Sequence, residues 1–310
     1  MNRITNSCAT PRRWLAPMVA GVAALLALLP AAQASYVLAP QYAGVFAAGT
    51  GADASLQRIA NDWQGSAVLW DEATRSYGSG VPISSFSWGT GLWGQVDWTA
   101  VQQAAAGQAS AASGAIVQSF QGVLPTINLG NARFNECYSA VWGTAALTTF
   151  FTPSAPLGNC GDAEAGDPAQ QNWTARYSGF IRITDPGEYN FSVLNDDGFF
   201  FRLIGAAGFE LDIGRDYLNP RDRIGFADNL ELSAGLYGFE LGAWNRLGAG
   251  VVDLSWAPGG CSGTCNWQGI PTEDLLSLSQ VPEPSTLFAV LAALGALGLT
   301  RKRSTITPRV

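Results

Sequence analysis

The 310-residue chain contains no histidine. That absence removes the usual general base at neutral pH, the commonest zinc ligand and the third member of most hydrolase triads. Lysine is nearly missing as well, the single example being Lys302 close to the C-terminus. Between Ser35 and Val281, ten arginines stand against 23 acidic residues, a formal charge of −13. An acidic, lysine-free surface repels phosphate backbones, so no nucleic-acid partner is expected. A glycosidase can work with two carboxylates and no histidine. Nothing in the sequence sets such a pair at a catalytic separation, and the N-terminal 80 residues are too small and too poor in acids to form a catalytic domain. We expect a protein that is not an enzyme.

What is present begins at the ends. Arg3, Arg12 and Arg13 precede an apolar run from Trp14 to Leu29, followed by Ala32-Gln33-Ala34. This is the pattern of a secretory signal peptide over residues 1–34, with cleavage expected after Ala34. At the other end Pro282-Glu283-Pro284 is followed by the apolar segment Leu287 to Leu299 and then by Arg301-Lys302-Arg303. As a helix at ~1.5 Å per residue, that apolar segment covers ~20 Å, short of a ~30 Å hydrocarbon core. The basic trio can snorkel and would stay on the cytoplasmic side. Of the five cysteines, Cys8 leaves with the signal. Cys137, Cys160, Cys261 and Cys265 form an even set in an exported protein, which reads as disulfides. Three pairings are open; proximity in sequence favours Cys137–Cys160 and Cys261–Cys265. A four-thiolate zinc site is the competing reading, but paired CxxC knuckles are lacking.

Residues 35–114 form a Trp- and Gly-rich N-terminal α+β region, with Trp63, Trp70, Trp88, Trp93 and Trp98 in one short span. A short helix is expected over Ala54 to Trp63, strands over Ala67–Trp70 and Ile83–Trp88, and a helix over Val96 to Gly107. Gln108 to Gly114 is small and polar, in the manner of a linker. From residue 115 to 260 short strands alternate with Gly, Pro, Asn and Asp, which predicts an antiparallel β-sandwich or barrel. The expected strands are 116–120, 141–151, 173–183, 189–194, 199–204, 230–232, 236–243 and 251–256. In the last of these Val252, Leu254 and Trp256 share one face and Asp253 and Ser255 the other. Residues 261–281 read as a disulfide loop and linker, and 282–304 as a sorting or anchor segment with a hydrophobic helix.

The centre of this pattern is Tyr177 to Ile204. Asp185-Pro186-Gly187-Glu188 has the composition of a type II turn. Tyr189, Phe191 and Val193 then alternate with Asn190 and Ser192, and Asn195-Asp196-Asp197-Gly198 interrupts the apolar run with acidic oxygens. Neighbours in a regular strand face opposite ways, so Asp196 and Asp197 can share one cation only through a backbone irregularity, such as a non-proline cis bond. Two carboxylates that close repel one another unless a cation lies between them. Calcium, with six to eight oxygen ligands, fits such a site. The plainer reading is a polar turn whose aspartates cap their own backbone.

Two family resemblances add to this. Pro282-Glu283-Pro284, the short apolar helix and the basic trio resemble the PEP-CTERM sorting tag. The tag implies export by a Gram-negative bacterium that makes exopolysaccharide, transient anchoring in the inner membrane, and processing by an exosortase-type protease. Trp173 to Phe180, Pro186-Gly187-Glu188-Tyr189-Asn190-Phe191, Asp196-Asp197-Gly198, Ala234-Gly235-Leu236-Tyr237 and Val252 to Trp256 together resemble the PA14 family in order and separation. The resemblance implies a PA14-like β-sandwich, found in adhesins, toxins and glycosidases, that binds carbohydrate in many members. In the fungal adhesin branch two adjacent aspartates hold a calcium ion that contacts sugar hydroxyls. Asp196 and Asp197 match that pair, and Asn245 sits where the branch supplies an asparagine ligand. Many members carry a second acidic-Gly pair after the next strand, where this chain has Ile204-Gly205-Ala206-Ala207-Gly208. Around the site Trp244 is a candidate for stacking on a sugar face, with core packing as the alternative. Arg215 and Tyr217, in a charged stretch running to Arg223, are candidates for a pocket rim, with a solvated loop as the alternative. The expected function is glycan binding at the cell surface or in the matrix, exopolysaccharide being the implied partner. A structural matrix component without specific glycan binding, or a glycosidase accessory protein, are the alternatives.

Overall fold

Alternation of apolar and polar side chains settles most of the architecture. The computed structural model describes residues 36–63, 65, 70–71, 76–77, 91–130, 146–147, 171–216, 222–246 and 250–281. In chain order the strands are β1 (Tyr36–Leu38), β2 (Tyr42–Ala43), β3 (Ala52–Ile59), and a hairpin of β4 (Trp70–Asp71) with β5 (Ser76–Tyr77). The helix α1 (Gln95–Ala105) follows, then β6 (Ile116–Leu124), β7 (Asn128–Gly130) and β8 (Ala146–Leu147). Next come β9 (Trp173–Ile183), β10 (Gly187–Asp196), β11 (Gly198–Ile204), β12 (Glu210–Arg215), β13 (Asp222–Gly225) and β14 (Leu230–Leu232). β15 (Gly235–Asn245), β16 (Val251–Pro258), β17 (Gln268–Gly269) and β18 (Leu275–Leu276) complete the series.

Two large sheets result. One has the order β1-β14-β10-β16-β7-β8, with β13 added to β10 and β17 to β16. The other has the order β12-β11-β15-β9-β3-β6, with β18 and β2 added to β9 and β15. Its pairings are antiparallel; the first sheet is antiparallel except where β1 meets β14 and β7 meets β8. The chain is therefore a mainly β sandwich. The interior is filled from both sides: Phe191, Val193, Val252, Leu254 and Trp256 from the first sheet, and Tyr177, Phe199, Phe201, Tyr237 and Leu241 from the second. Burying side chains of this size stabilises by about 1.5–3 kcal/mol each before entropy is counted, so this layer dominates the stability. On the outer face of β16, Asp253 meets Arg223 at 3.4 Å and accepts the Ser255 hydroxyl at 2.6 Å. The predicted division of that strand into two faces is thus seen directly.

Two strand entries share one device. Gly187 and Gly235 have φ of 154° and 150°, values that favour glycine. Two residues after each, a tyrosine hydroxyl reaches back four positions, Tyr189 to the Asp185 carbonyl (2.8 Å) and Tyr237 to that of Ser233 (3.0 Å). Tyr237 also meets the Leu38 carbonyl at 2.9 Å, tying in β1.

The structure corrects several expectations. Ala54 to Trp63 is not a helix: Ala52–Ile59 is an interior strand paired with both β6 and β9. Ala52, Ala54 and Leu56 are buried in the sandwich core, a period-2 pattern that the pairing on both edges enforces. The boundary at residue 114 also dissolves, because β1, β2 and β3 each pair with strands from the later part of the chain. Residues 261–281 are likewise no linker, since β18 pairs with β9 and Gly51 donates to the Leu275 carbonyl at 3.0 Å. Gln108 to Gly114 is a packed turn: the Ser110 hydroxyl donates to the Ala100 carbonyl at 2.6 Å and Ala112 is buried.

α1 lies over the outer face of the second sheet. Trp98, Val101, Leu92, Ile59, Phe200 and Trp244 form a second apolar cluster there. Trp98 meets Phe200 edge-on at 4.8 Å, and its indole N–H donates to the Ala175 carbonyl at 3.0 Å. The Cys261–Cys265 disulfide is present. Cys137 and Cys160, most of the expected strand 141–151, and both terminal hydrophobic segments lie outside the described residues. Among the described residues, no helix is long and apolar enough to cross a membrane.

Candidate metal centre

β10 belongs to the first sheet and β11 to the second, and the chain passes between them through Asp197 alone. Asp196 is in register with Val251, and Gly198 already faces Trp244. This crossing at one end of the sandwich is where the two acidic residues lie, both half-buried. Gly198 is required by close approach: a Cβ there would sit 2.3 Å from Cζ2 of the Trp244 ring. The Asp196–Asp197 peptide is cis.

Two backbone bonds pin the turn to the end of β15. Asp197 N–H donates to the Trp244 carbonyl at 3.1 Å, and Arg246 N–H donates to Asp197 Oδ2 at 2.7 Å. They bracket Asn245, which is fully buried. Its amide packs on Gly250, where a Cβ would fall 2.3 Å from Asn245 Cγ. The turn carrying the aspartates and the segment carrying Asn245 are therefore brought together.

Burial pushes the Asp197 carboxyl well above the usual carboxylate range, and the negative charge of the Asp196 carboxylate adds to it. The N–H and the guanidinium of Arg246 act in the opposite direction. The groups that could hold an ion here are the Asp196 and Asp197 carboxylates and the Asn245 amide. Among the described residues no group of three or more His, Cys, Asp or Glu is placed to hold a metal. Carboxylate and amide oxygens are hard donors, of the kind a hard cation that tolerates neutral oxygens takes. The mutual repulsion of the aspartates is what such a cation would relieve.

The remaining candidates fare differently. Trp244, proposed as a sugar-stacking ring, is instead fully buried in the cluster under α1. The correction follows from strand alternation, which turns Trp244 outward beneath the helix. Arg215 ends β12 opposite Phe199, half-exposed, with Asp222 at 3.8 Å. Tyr217 lies outside the described residues. The charged stretch around them is not simply a loop, because β12 precedes it and β13, which contains Arg223, pairs with β10. Arg246 is the residue that sequence reasoning missed. It is 3% exposed, and its guanidinium carbon lies 4.2 Å from the centre of the Trp93 ring. Its place directly after Asn245 was the available signal.

No protein-family model matches the sequence, and no curated protein matches it. Among solved structures, the chain is similar to an anti-sigma factor domain-containing protein from Clostridium clariflavum, at 15% identity and a TM-score of 0.38, over 76% of this chain and 50% of that one. It is similar to the PA14 sugar-binding domain from an RTX adhesin, at 13% identity and a TM-score of 0.38, over 72% and 96% of the two chains. It is also similar to the epithelial adhesin 6 A domain from Candida glabrata in complex with Galb1-3GlcNAc, at 14% identity and a TM-score of 0.41, over 78% and 92%. The chain spans about half the length of the anti-sigma factor domain-containing proteins it matches, 50% and 44%.

Proposed function

We propose that this chain is an exported surface or matrix protein whose sandwich carries a calcium-dependent carbohydrate-binding site at the Asp196–Asp197 crossing. One observation carries the reading: Asp196 and Asp197 stand side by side and half-buried where the chain crosses between the sheets, and the Asp196 charge opposes ionisation of Asp197. Asp196 and Asp197, with the Asn245 amide, would hold the ion. When bound, calcium supplies coordination positions for vicinal sugar hydroxyls. The protein's own part is to fix Asp197 through the Arg246 N–H and to keep Asn245 packed against Gly250. The acidic exterior suits a cation-rich environment. The tag-like C-terminus supports sorting by an exosortase-type protease after transient anchoring in the inner membrane of a Gram-negative bacterium, and exopolysaccharide as the partner.

Calorimetric titration of the purified protein with calcium tests the ion site, and a glycan array with and without calcium tests the ligand. We expect saturable calcium heat that disappears in Asp196→Ala plus Asp197→Ala, and array signals that chelator removes. Absence of calcium heat would end the reading. A blank array with calcium bound would favour the second reading, a structural surface component without specific glycan binding.

A further inference from the structure

β6 is the outermost strand of the second sheet. It pairs with β3 on one side, and among the described residues no strand pairs with its other edge. Such an edge is a row of unpaired N–H and C=O groups, which proteins ordinarily guard by shortness, charge or proline. The other ends of the two sheets are guarded in this way. β1 and β8 span three and two residues, and β12 carries Glu210, Asp212 and Arg215. β6 has none of these protections. Its nine residues contain no charge and no proline, and Val117 and Val123 are 47% and 42% exposed. Beside its start lies a hollow lined by Ala104, Gly107, Ala109, Ser113, Gly114 and Ile116, again without a charged side chain.

The neutrality reaches beyond the strand. No Asp, Glu, Lys or Arg occurs from Trp98 to Ala132, and no longer stretch without one exists between Ser35 and Val281. That span of the chain carries a formal charge of −13, so two copies repel one another over most of their surface. The uncharged edge is where they can approach at least cost. The strand also fits itself. The register with β3 skips Val117, and Pro125 follows the strand, which leaves Gln118 to Leu124 as its regular stretch. Laid antiparallel on a second copy, that stretch sets Gln121 opposite Gln121 and each Phe120 opposite a Gly122, a large ring beside a residue with no side chain. We propose that β6 is a self-association surface, joining two copies of this chain about a two-fold axis at Gln121 so that the second sheet runs on from one copy into the other. Such a contact closes on itself, because each copy covers the edge of the other. The pairing does not depend on the cation-site reading above.

The test is the sedimentation mass of the purified protein, of Gln121→Glu, of Gln121→Lys and of the two variants mixed. Gln121 is exposed, so neither change reaches the core and both variants should keep the circular dichroism of the wild type. Wild type is expected to run at twice the mass of the chain. Each variant sets like charges directly opposite one another and should bind its own copy about fivefold more weakly or worse. Mixing the two opposes unlike charges and restores the dimer. A wild type that stays a single chain would overturn the proposal, and hydrogen exchange at β6 would then tell an open edge from one covered by another segment of the same chain. A dimer indifferent to both charges would place the contact on a different face and overturn it as well. So would a mixture that fails to re-form the dimer, or growth of the wild type into open aggregates in place of a closed pair.

Discussion

The Arg246 N–H donates to Asp197 Oδ2 at 2.7 Å, so the position of the acid depends on backbone rather than on a flexible side chain. Burial and the neighbouring Asp196 charge nevertheless raise the Asp197 pKa above its ordinary 3.8. The folded state thus keeps this proton longer than the unfolded chain does. Its stabilising contribution is fully present below the unfolded value and is lost as pH rises through the raised folded value. In chelator, melting temperature should fall with rising pH across that window, and Asp197→Asn should flatten the slope. A metal-free profile that rises there would contradict the stated environment of Asp197.

Tyr237 provides a second pH test far from the site. Its hydroxyl lies 2.9 Å from the Leu38 carbonyl and 3.0 Å from that of Ser233, and burial pushes its pKa up to about 12. Stability from this phenol is present below the ordinary value near 10 and lost between that and the raised value. Absorbance titration should show Tyr237 ionising only as the protein unfolds. Tyr237→Phe should cost about 1–2 kcal/mol through the lost bonding of a buried carbonyl. Unchanged melting would show that the link to β1 contributes nothing.

Gly198→Ala places a Cβ 2.3 Å from the Trp244 ring. Because Trp244 is fully enclosed, the ring has little room to yield, and the change should destabilise by about 1–3 kcal/mol. Denaturant melts compare it with Gly187→Ala. There φ is 154° but no atom lies within 4 Å of the added Cβ, so any loss reflects backbone conformation alone.

Trp244→Ala should cost about 3–5 kcal/mol as a core truncation, whereas Trp244→Phe should leave intact the glycan binding proposed above. A clean loss of glycan binding in Trp244→Phe, with melting unchanged, would restore the ring as a ligand contact. Crystallography of that variant would then show whether α1 had moved away from the sheet.

By itself the sequence determined the strand-rich class, the span of β9, the alternating faces of β16 and the helix near residues 95–105. These follow from period, turn composition and local propensity, which act over a few residues. It also determined that two acids stand side by side with glycine after them. Tertiary structure decided what neighbours in space supply. Ala52–Ile59 became a strand because β6 and β9 offered hydrogen bonds on both edges. Trp244 went into packing because α1 covers that face. The Arg246 N–H reached Asp197 because β15 ends where the chain crosses between sheets. Pairings between residues many positions apart carry no local signature, since side-chain period fixes which face is buried but not which strand arrives beside it.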